Sequence, residues 1–275
     1  MPTTLPGRRR DAAAELTDPC PGGDRAAALA ILLPPGAAIA RRSAAARHGF
    51  HLTMPDERSE LLPVECVVEA GRAPLRRAGA RCYEAVLDGD VELDGTVPVT
   101  SALRTCLDTA RYEVPPLALA MLDRALRVGL LDPGAALSRL DELPGERGVA
   151  RARRLLTLAD AGAESPGESW LRLRLADAGF PRVCTQIEVP RAGRASLRLD
   201  MGWPERRIAV EYDGEEFHGS ARQREHDERR RAELRRRGWT VVGVGRGEVL
   251  GRSLALEQGV GELLGIEPTT RRRPW

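Results

Sequence analysis

Three carboxylates stand close together in the C-terminal third of the chain, in Leu199-Asp200 and in Ala209-Val210-Glu211-Tyr212-Asp213-Gly214. With strand alternation, Ser196, Arg198 and Asp200 share one face, and Glu211 and Asp213 share a face of the following strand. The two runs flank Trp203-Pro204. A hairpin turned there puts Asp200 near its turn, and bringing Glu211 and Asp213 to it takes strand splay or a bulge. Acids gathered at one sheet rim repel unless something positive sits among them. A hard divalent cation is one such neutraliser, and Mg²⁺ typically takes one or two carboxylates plus water and phosphate oxygens. The plainer alternative is a set of solvated acids beside an ordinary Asp213-Gly214 turn.

The next segment supplies the opposite charge. Ser220–Arg237 holds Arg222, Arg224, Arg229, Arg230, Arg231, Arg235, Arg236 and Arg237 against Glu225, Asp227, Glu228 and Glu233. As a helix it is roughly 27 Å long. Guanidinium forks grip phosphates bidentately, so Arg222, Arg224 and Arg230 beside a carboxylate cluster suit a nucleic-acid backbone held over a metal. The competing reading is a solvated face laced with pairs such as Glu225–Arg229.

The elements that must position these groups are legible from pattern. Ser165 is placed to cap a helix running to about Ala178, ended by Gly179-Phe-Pro181. Strands come next at about 182–189, 195–202 and 206–213, then the basic helix stopped by Gly238, a strand over 239–245 and a last helix over 254–264. Gln186 lies where its amide either faces the acids or edges the core. Helix, three meandering strands, helix, strand, helix is an α/β layout with one sheet and helices against it. Ahead of it, a helix through His48, strands around Val64–Val68, Ala80–Glu84, Val91–Leu93 and Val97–Val99, and helices over about 102–111, 117–130 and 149–161 make an α+β unit. The organisation read is a disordered lead (1–24), an α+β domain (25–160), a linker (161–167), a C-terminal domain (168–268) and a basic tail (269–275).

Composition narrows the chemistry. At 275 residues about two domains are expected. Every one of the 42 basic residues is arginine, so no Schiff-base lysine, Walker-A lysine or Ser-Lys dyad exists. Five cysteines form no Cys-x-x-Cys pair, which argues for a reducing, cytoplasmic setting rather than a disulfide framework. No apolar run is long enough to span a membrane. Residues 181–275 carry 19 arginines against 15 acids, so the basic excess lies at the C-terminal end. His48-x-x-His51 has no third ligand nearby, and Gly243-Val-Gly245-Arg-Gly247 breaks the dinucleotide fingerprint.

The stretch Glu168-Ser-Trp-Leu-Arg, Ala178-Gly-Phe-Pro181, Arg198-Leu-Asp200-Met-Gly-Trp-Pro204, Ile208-Ala-Val-Glu211-Tyr-Asp-Gly214, His218, Asp227-Glu-Arg-Arg230 and Gly238-Trp-Thr-Val-Val242 resembles the endonuclease-like domains related to very-short-patch-repair (Vsr) endonucleases, within the PD-(D/E)XK restriction-endonuclease-like superfamily. Ser43-Ala-Ala-Ala with Gly49, and Val99-Thr-Ser-Ala-Leu-Arg-Thr-Cys-Leu-Asp-Thr-Ala-Arg111, are similar to a region of abortive-infection-type antitoxins. The first resemblance implies a restriction-endonuclease-like mixed sheet flanked by helices and a Mg²⁺- or Mn²⁺-dependent endonuclease acting on double-stranded DNA. It implies Asp200 and Glu211 as metal ligands, Glu168 as holder of a metal-bound water and His218 in proton transfer. Asp213 falls where the superfamily commonly has lysine. That departure supports the alternative of a catalytically degenerate nucleic-acid-binding or antitoxin-type regulator.

Overall fold

The computed structural model describes residues 24–58, 61–214, 221–272 and 275, apart from the side chains of residues 221–224 and 226. The fold is α/β, with two mixed sheets. Two compact units form: one of residues up to Glu113 with Leu130–Ala152, the other of Val114–Gly129 with Arg153–Trp275.

In the first unit, Asp24 accepts the Ala27 N–H to start α1 (Arg25–Ala30), and β1 (Ala38–Ile39) leads directly into α2 (Arg41–Arg47). The remaining strands are β2 (Val64–Glu69), β3 (Ala80–Ala85), β4 (Val91–Asp94) and β5 (Val97–Thr100), in the order β3-β2-β1-β5-β4. Ser101 caps α3 (Ala102–Tyr112) by accepting the Arg104 N–H, as a serine before an apolar-periodic run should. Two elements here lie outside the sequence-based expectation: the two-residue β1, and a helix over Pro133–Asp141 (α5) capped by Asp132. His48, half of the His-x-x-His pair, bonds the Thr100 carbonyl through Nε2 at 2.8 Å. Cys66, Cys82, Cys106 and Cys184 are free thiols. Among the described residues no helix is long and apolar enough to cross a membrane.

The second unit contains α4 (Pro115–Arg127), which packs on α7 (Pro166–Asp177), and then β6 (Cys184–Arg191), β7 (Arg194–Trp203), β8 (Ile208–Asp213), α8 (Ala221–Arg236), β9 (Thr240–Gly245), α9 (Arg246–Leu250) and α10 (Ala255–Leu264). Between α4 and α7 the chain forms α6 (Val149–Leu158). The sheet order is β6-β7-β8-β9, antiparallel except for the parallel β8–β9 pair. A parallel neighbour requires a crossover, and α8 supplies it.

Besides a register shift between Val189 and Arg191 in β6, strand alternation breaks in the middle of β7. Leu197 and Leu199 pack in the layer with Leu234 of α8, whereas Met201 and Trp203 pack in the opposite layer with Trp170 and Leu171 of α7. Residues two apart on a regular strand share a face, so β7 switches layers at Asp200. The ladder to β6 pairs Thr185 with Met201 and Ile187 with Leu199, and skips Gln186 and Asp200, which stand between those pairs. Gln186 has φ of 51°, uncommon for a residue with a side chain and found where neighbouring structure enforces it. The kink in both strands presents the Gln186 and Asp200 side chains at one spot. Above it lies Gly167, where an added Cβ would meet the Tyr212 ring at 2.0 Å. Only glycine lets α7 start this close to β8.

Candidate functional site

The kink and the first turn of α7 build the site. The Ser165 hydroxyl accepts the Glu168 N–H at 3.2 Å and donates to Glu168 Oε1 at 2.9 Å, tying the cap to the third residue of the helix. Glu168 Oε2 accepts the Glu164 N–H at 2.9 Å and the Gln186 Nε2–H at 3.3 Å. Glu168 is therefore buried with both oxygens engaged by protein donors.

The antiparallel ladder between β7 and β8 pairs Met201 with Val210, and one step further sets Asp200 across from Glu211. The ladder stops short of that pair, and Asp200 Oδ2 instead accepts the Tyr212 N–H at 2.9 Å. Glu211 thus faces Asp200 in direct register, without the splay or bulge expected from the sequence, and the ladder ends at this point. Burial pushes the Asp200 carboxyl up to about 6; the Glu168 and Glu211 charges add to it, while the Tyr212 N–H and Arg230 oppose it. The three acids at 168, 200 and 211 therefore share one electrostatic neighbourhood.

Glu211 is 7% exposed, and its countercharge comes from α8. Arg230 donates through Nη1 to Glu211 Oε2 at 2.9 Å and through Nη2 to Glu211 Oε1, and Nη2 also donates to the Arg198 carbonyl at 2.6 Å. Such a fork on a carboxylate is the strong, directional form of the pair. Arg230, read from the sequence as a phosphate contact, turns inward to the acids. Asp213 is exposed, with Arg231 at 3.5 Å. Burial of its carboxyl still pushes it up from the ordinary range. His218 lies outside the described residues, as do the side chains of Arg222 and Arg224.

The donor set decides what the pocket accepts. Both oxygens of Glu211 are held by Arg230, both of Glu168 by hydroxyl, amide and backbone donors, and one of Asp200 by Tyr212. Among the described residues no group of three His, Cys, Asp or Glu side chains is placed to hold a metal ion. A divalent cation does not fit this arrangement unless Arg230 leaves. Gln186 and Arg230 are the site members whose role the sequence obscured. Only the contact to Glu168 and the fork on Glu211 reveal them.

The buried acid makes stability depend on pH. The Asp200 carboxyl binds its proton more tightly folded than unfolded, so its charged form destabilises the fold above about pH 6, and the penalty fades as pH falls toward 4. Asp200→Asn keeps an oxygen for the Tyr212 N–H and removes the charge. We expect it to stabilise the protein by about 1–2 kcal/mol at pH 7.5, allowing for solvent screening, and by almost nothing at pH 4. Urea titrations across that range measure it; a gain that ignores pH would contradict the assignment.

The family match lies in the other part of the chain. Residues 37–158 match the family model described as the AbiEi antitoxin C-terminal domain. Two Mycobacterium tuberculosis proteins, "Uncharacterized protein MT2308" of strain CDC 1551 / Oshkosh and "Uncharacterized protein Rv2248" of strain ATCC 25618 / H37Rv, are each 37% identical over 145 residues, covering 53% of this chain and 54% of theirs. The chain thus spans about half the length of the curated relatives it matches. No solved structure matches it. Over residues 37–158 the chain is similar to the AbiEi antitoxin C-terminal domain.

Proposed function

We propose that this chain is an antitoxin-type regulatory protein that binds double-stranded DNA, and that its C-terminal sheet keeps the carboxylates of a nuclease-like pocket in a closed, non-hydrolytic form. The observation that carries this reading is the Arg230 fork on Glu211: the charge a cation would neutralise is neutralised within the chain. Asp213 in place of a lysine points the same way, because it adds a negative charge where a cationic group would steady a phosphate. The match over residues 37–158 supports the regulatory role. For DNA contact, Arg235 and Arg236 are available on α8, and Arg229 is exposed beside Glu225. Guanidinium groups on an open helix face suit phosphate contacts without base specificity.

A second reading, a Mg²⁺- or Mn²⁺-dependent DNA endonuclease, draws on the raised Asp200 carboxyl between Glu168 and Glu211. Perturbed acids of this kind cluster at functional sites. One experiment separates the two. Purified protein is titrated into labelled duplex DNA over a salt series, and incubated with supercoiled plasmid and Mg²⁺ or Mn²⁺. The regulatory reading expects salt-sensitive binding and intact plasmid. Metal-dependent nicking abolished by Glu211→Ala and by Asp200→Ala would replace it with the endonuclease, and absence of DNA binding at low salt would remove both.

A further inference from the structure

The first unit contains a cleft of ≈ 530 Å³ whose walls include Arg25, Arg41, Arg81, Tyr83, Tyr112 and His51. Arg41 is its central feature. The guanidinium carbon lies 3.3 Å from the Tyr83 ring centroid and 4.4 Å from that of Tyr112, so two aromatic rings cover the cation. Stacking covers the planar faces of a guanidinium and leaves its in-plane N–H donors pointing outward. Among the described residues those donors make no hydrogen bond and no ion pair, although the Arg41 charge is felt by the Tyr83 hydroxyl and by the buried Asp108 carboxyl.

The acids that line the same cleft already have partners. Arg42 holds Glu113 at 2.7 Å and Glu57 at 2.7 Å, and Glu65 accepts the Tyr83 hydroxyl at 2.7 Å and the Arg42 N–H at 3.1 Å. The cleft therefore combines three carboxylates that hydrogen-bond internally with an Arg41 that is stacked between two rings and makes no hydrogen bond or ion pair of its own. The backbone adds a second mark. Arg41 has φ of 51°, a conformation that favours glycine and that an arginine holds only against steric cost. Because β1 sits at the middle of the sheet and Arg41 comes directly after it, this turn is what aims the side chain into the cleft.

We propose that this cleft binds a terminal phosphate monoester, with Arg41 as the principal contact. A tetrahedral dianion is gripped by several guanidinium groups at once, whereas a carboxylate is satisfied by a single fork; Arg81 lines the same space, and so does Arg25, whose Nη1 also donates to the Leu62 carbonyl at 3.0 Å. The volume and the mixed lining, with Leu52, Thr53 and Val64 beside the arginines, match a ligand of mononucleotide size rather than a bare ion. The phosphate belongs either to a free nucleotide or to the 5′ end of a short nucleic acid. This inference does not depend on the C-terminal pocket.

Calorimetric titration of the full chain with AMP, adenosine, a 5′-phosphorylated tetranucleotide and its 5′-hydroxyl counterpart tests it. AMP or the phosphorylated tetranucleotide binds, identifying which source supplies the phosphate, and its unphosphorylated form binds at least about tenfold more weakly. Arg41→Gly places glycine in a conformation it adopts readily, so its melting temperature stays within a few degrees of the wild type while affinity falls by about tenfold or more. Asp200→Asn leaves the binding unchanged. The proposal fails if neither phosphorylated probe binds, if the unphosphorylated forms bind equally well, or if Arg41→Gly binds as the wild type does.

Discussion

Arg174→Ala is expected to destabilise the protein by about 3–5 kcal/mol, the range found when one partner of a buried ion pair is removed. Arg174 is 2% exposed on α7, and Glu257 on α10 is 3% exposed. Its Nε donates to Glu257 Oε1 at 2.6 Å and its Nη2 to Glu257 Oε2 at 2.7 Å. The remaining donors reach the Ser253 carbonyl at 2.5 Å, the Val249 carbonyl at 3.1 Å and the Glu248 carbonyl. One guanidinium thus ties α7 to the end of α9 and to α10, and satisfies three backbone acceptors that a buried loop would otherwise leave bare. Arg174→Ala strands a buried carboxylate and those carbonyls together. The double variant Arg174→Met with Glu257→Leu removes both charges and is expected to recover only part of the loss, because the carbonyls stay unpaired. Urea unfolding of the three proteins measures this. A single-variant loss under about 1 kcal/mol would mean that water replaces the guanidinium.

The same helix shows why some of the fold was legible and some was not. Alternation, caps and turn residues mark local structure, and they placed the α/β order and the strands at β6, β7 and β8 from sequence alone. Local pattern says nothing of partners far along the chain. In α7 the charged residues Glu168 and Arg172 lie on one side and Arg174 on another, and all three are buried. Arg172 pairs with Asp123 at 2.5 Å, 49 residues away, and Arg174 with Glu257, 83 residues away. The candidate site has the same limit. The hairpin joining Asp200 and Glu211 was readable, but its register was not: the sequence reading required splay or a bulge to bring the two acids together, and the strands bring them face to face without either. The strand kink at Gln186 and the inward turn of Arg230 depend on packing between layers, and no residue type announces them. In helix α8 the Glu225–Arg229 surface pair was readable from its spacing, whereas the turn of Arg230 to Glu211 was not. The strain at Arg41 was invisible for a related reason: a positive φ is read from sequence at glycine or asparagine, not at arginine.

Arg230→Ala is expected to cost about 3 kcal/mol at pH 7.5 and to open the pocket to a cation. This cost lies at the low end for a broken ion pair because the Arg230 side chain is 25% exposed while that of Glu211 is 9% exposed. With the guanidinium gone, Glu211 keeps its burial and faces Asp200 and Glu168 without a countercharge. Arg230 is one of the groups that hold the Asp200 carboxyl down, so its loss drives that carboxyl further up. Protons then bind the folded variant still more tightly than the unfolded chain, and the variant regains stability as pH falls, starting from a higher pH than in the wild type. A divalent cation substitutes for the missing charge by the same electrostatics. Millimolar Mg²⁺ should therefore raise the melting temperature of Arg230→Ala and leave the wild type unmoved, since a ligand stabilises only the state that binds it. Adding Glu211→Gln to the variant should abolish the Mg²⁺ response and return part of the lost stability, because the buried charge is then absent. If Mg²⁺ shifts wild type and Arg230→Ala equally, Arg230 is not what occupies the cation's place, and the closed-pocket reading falls with it.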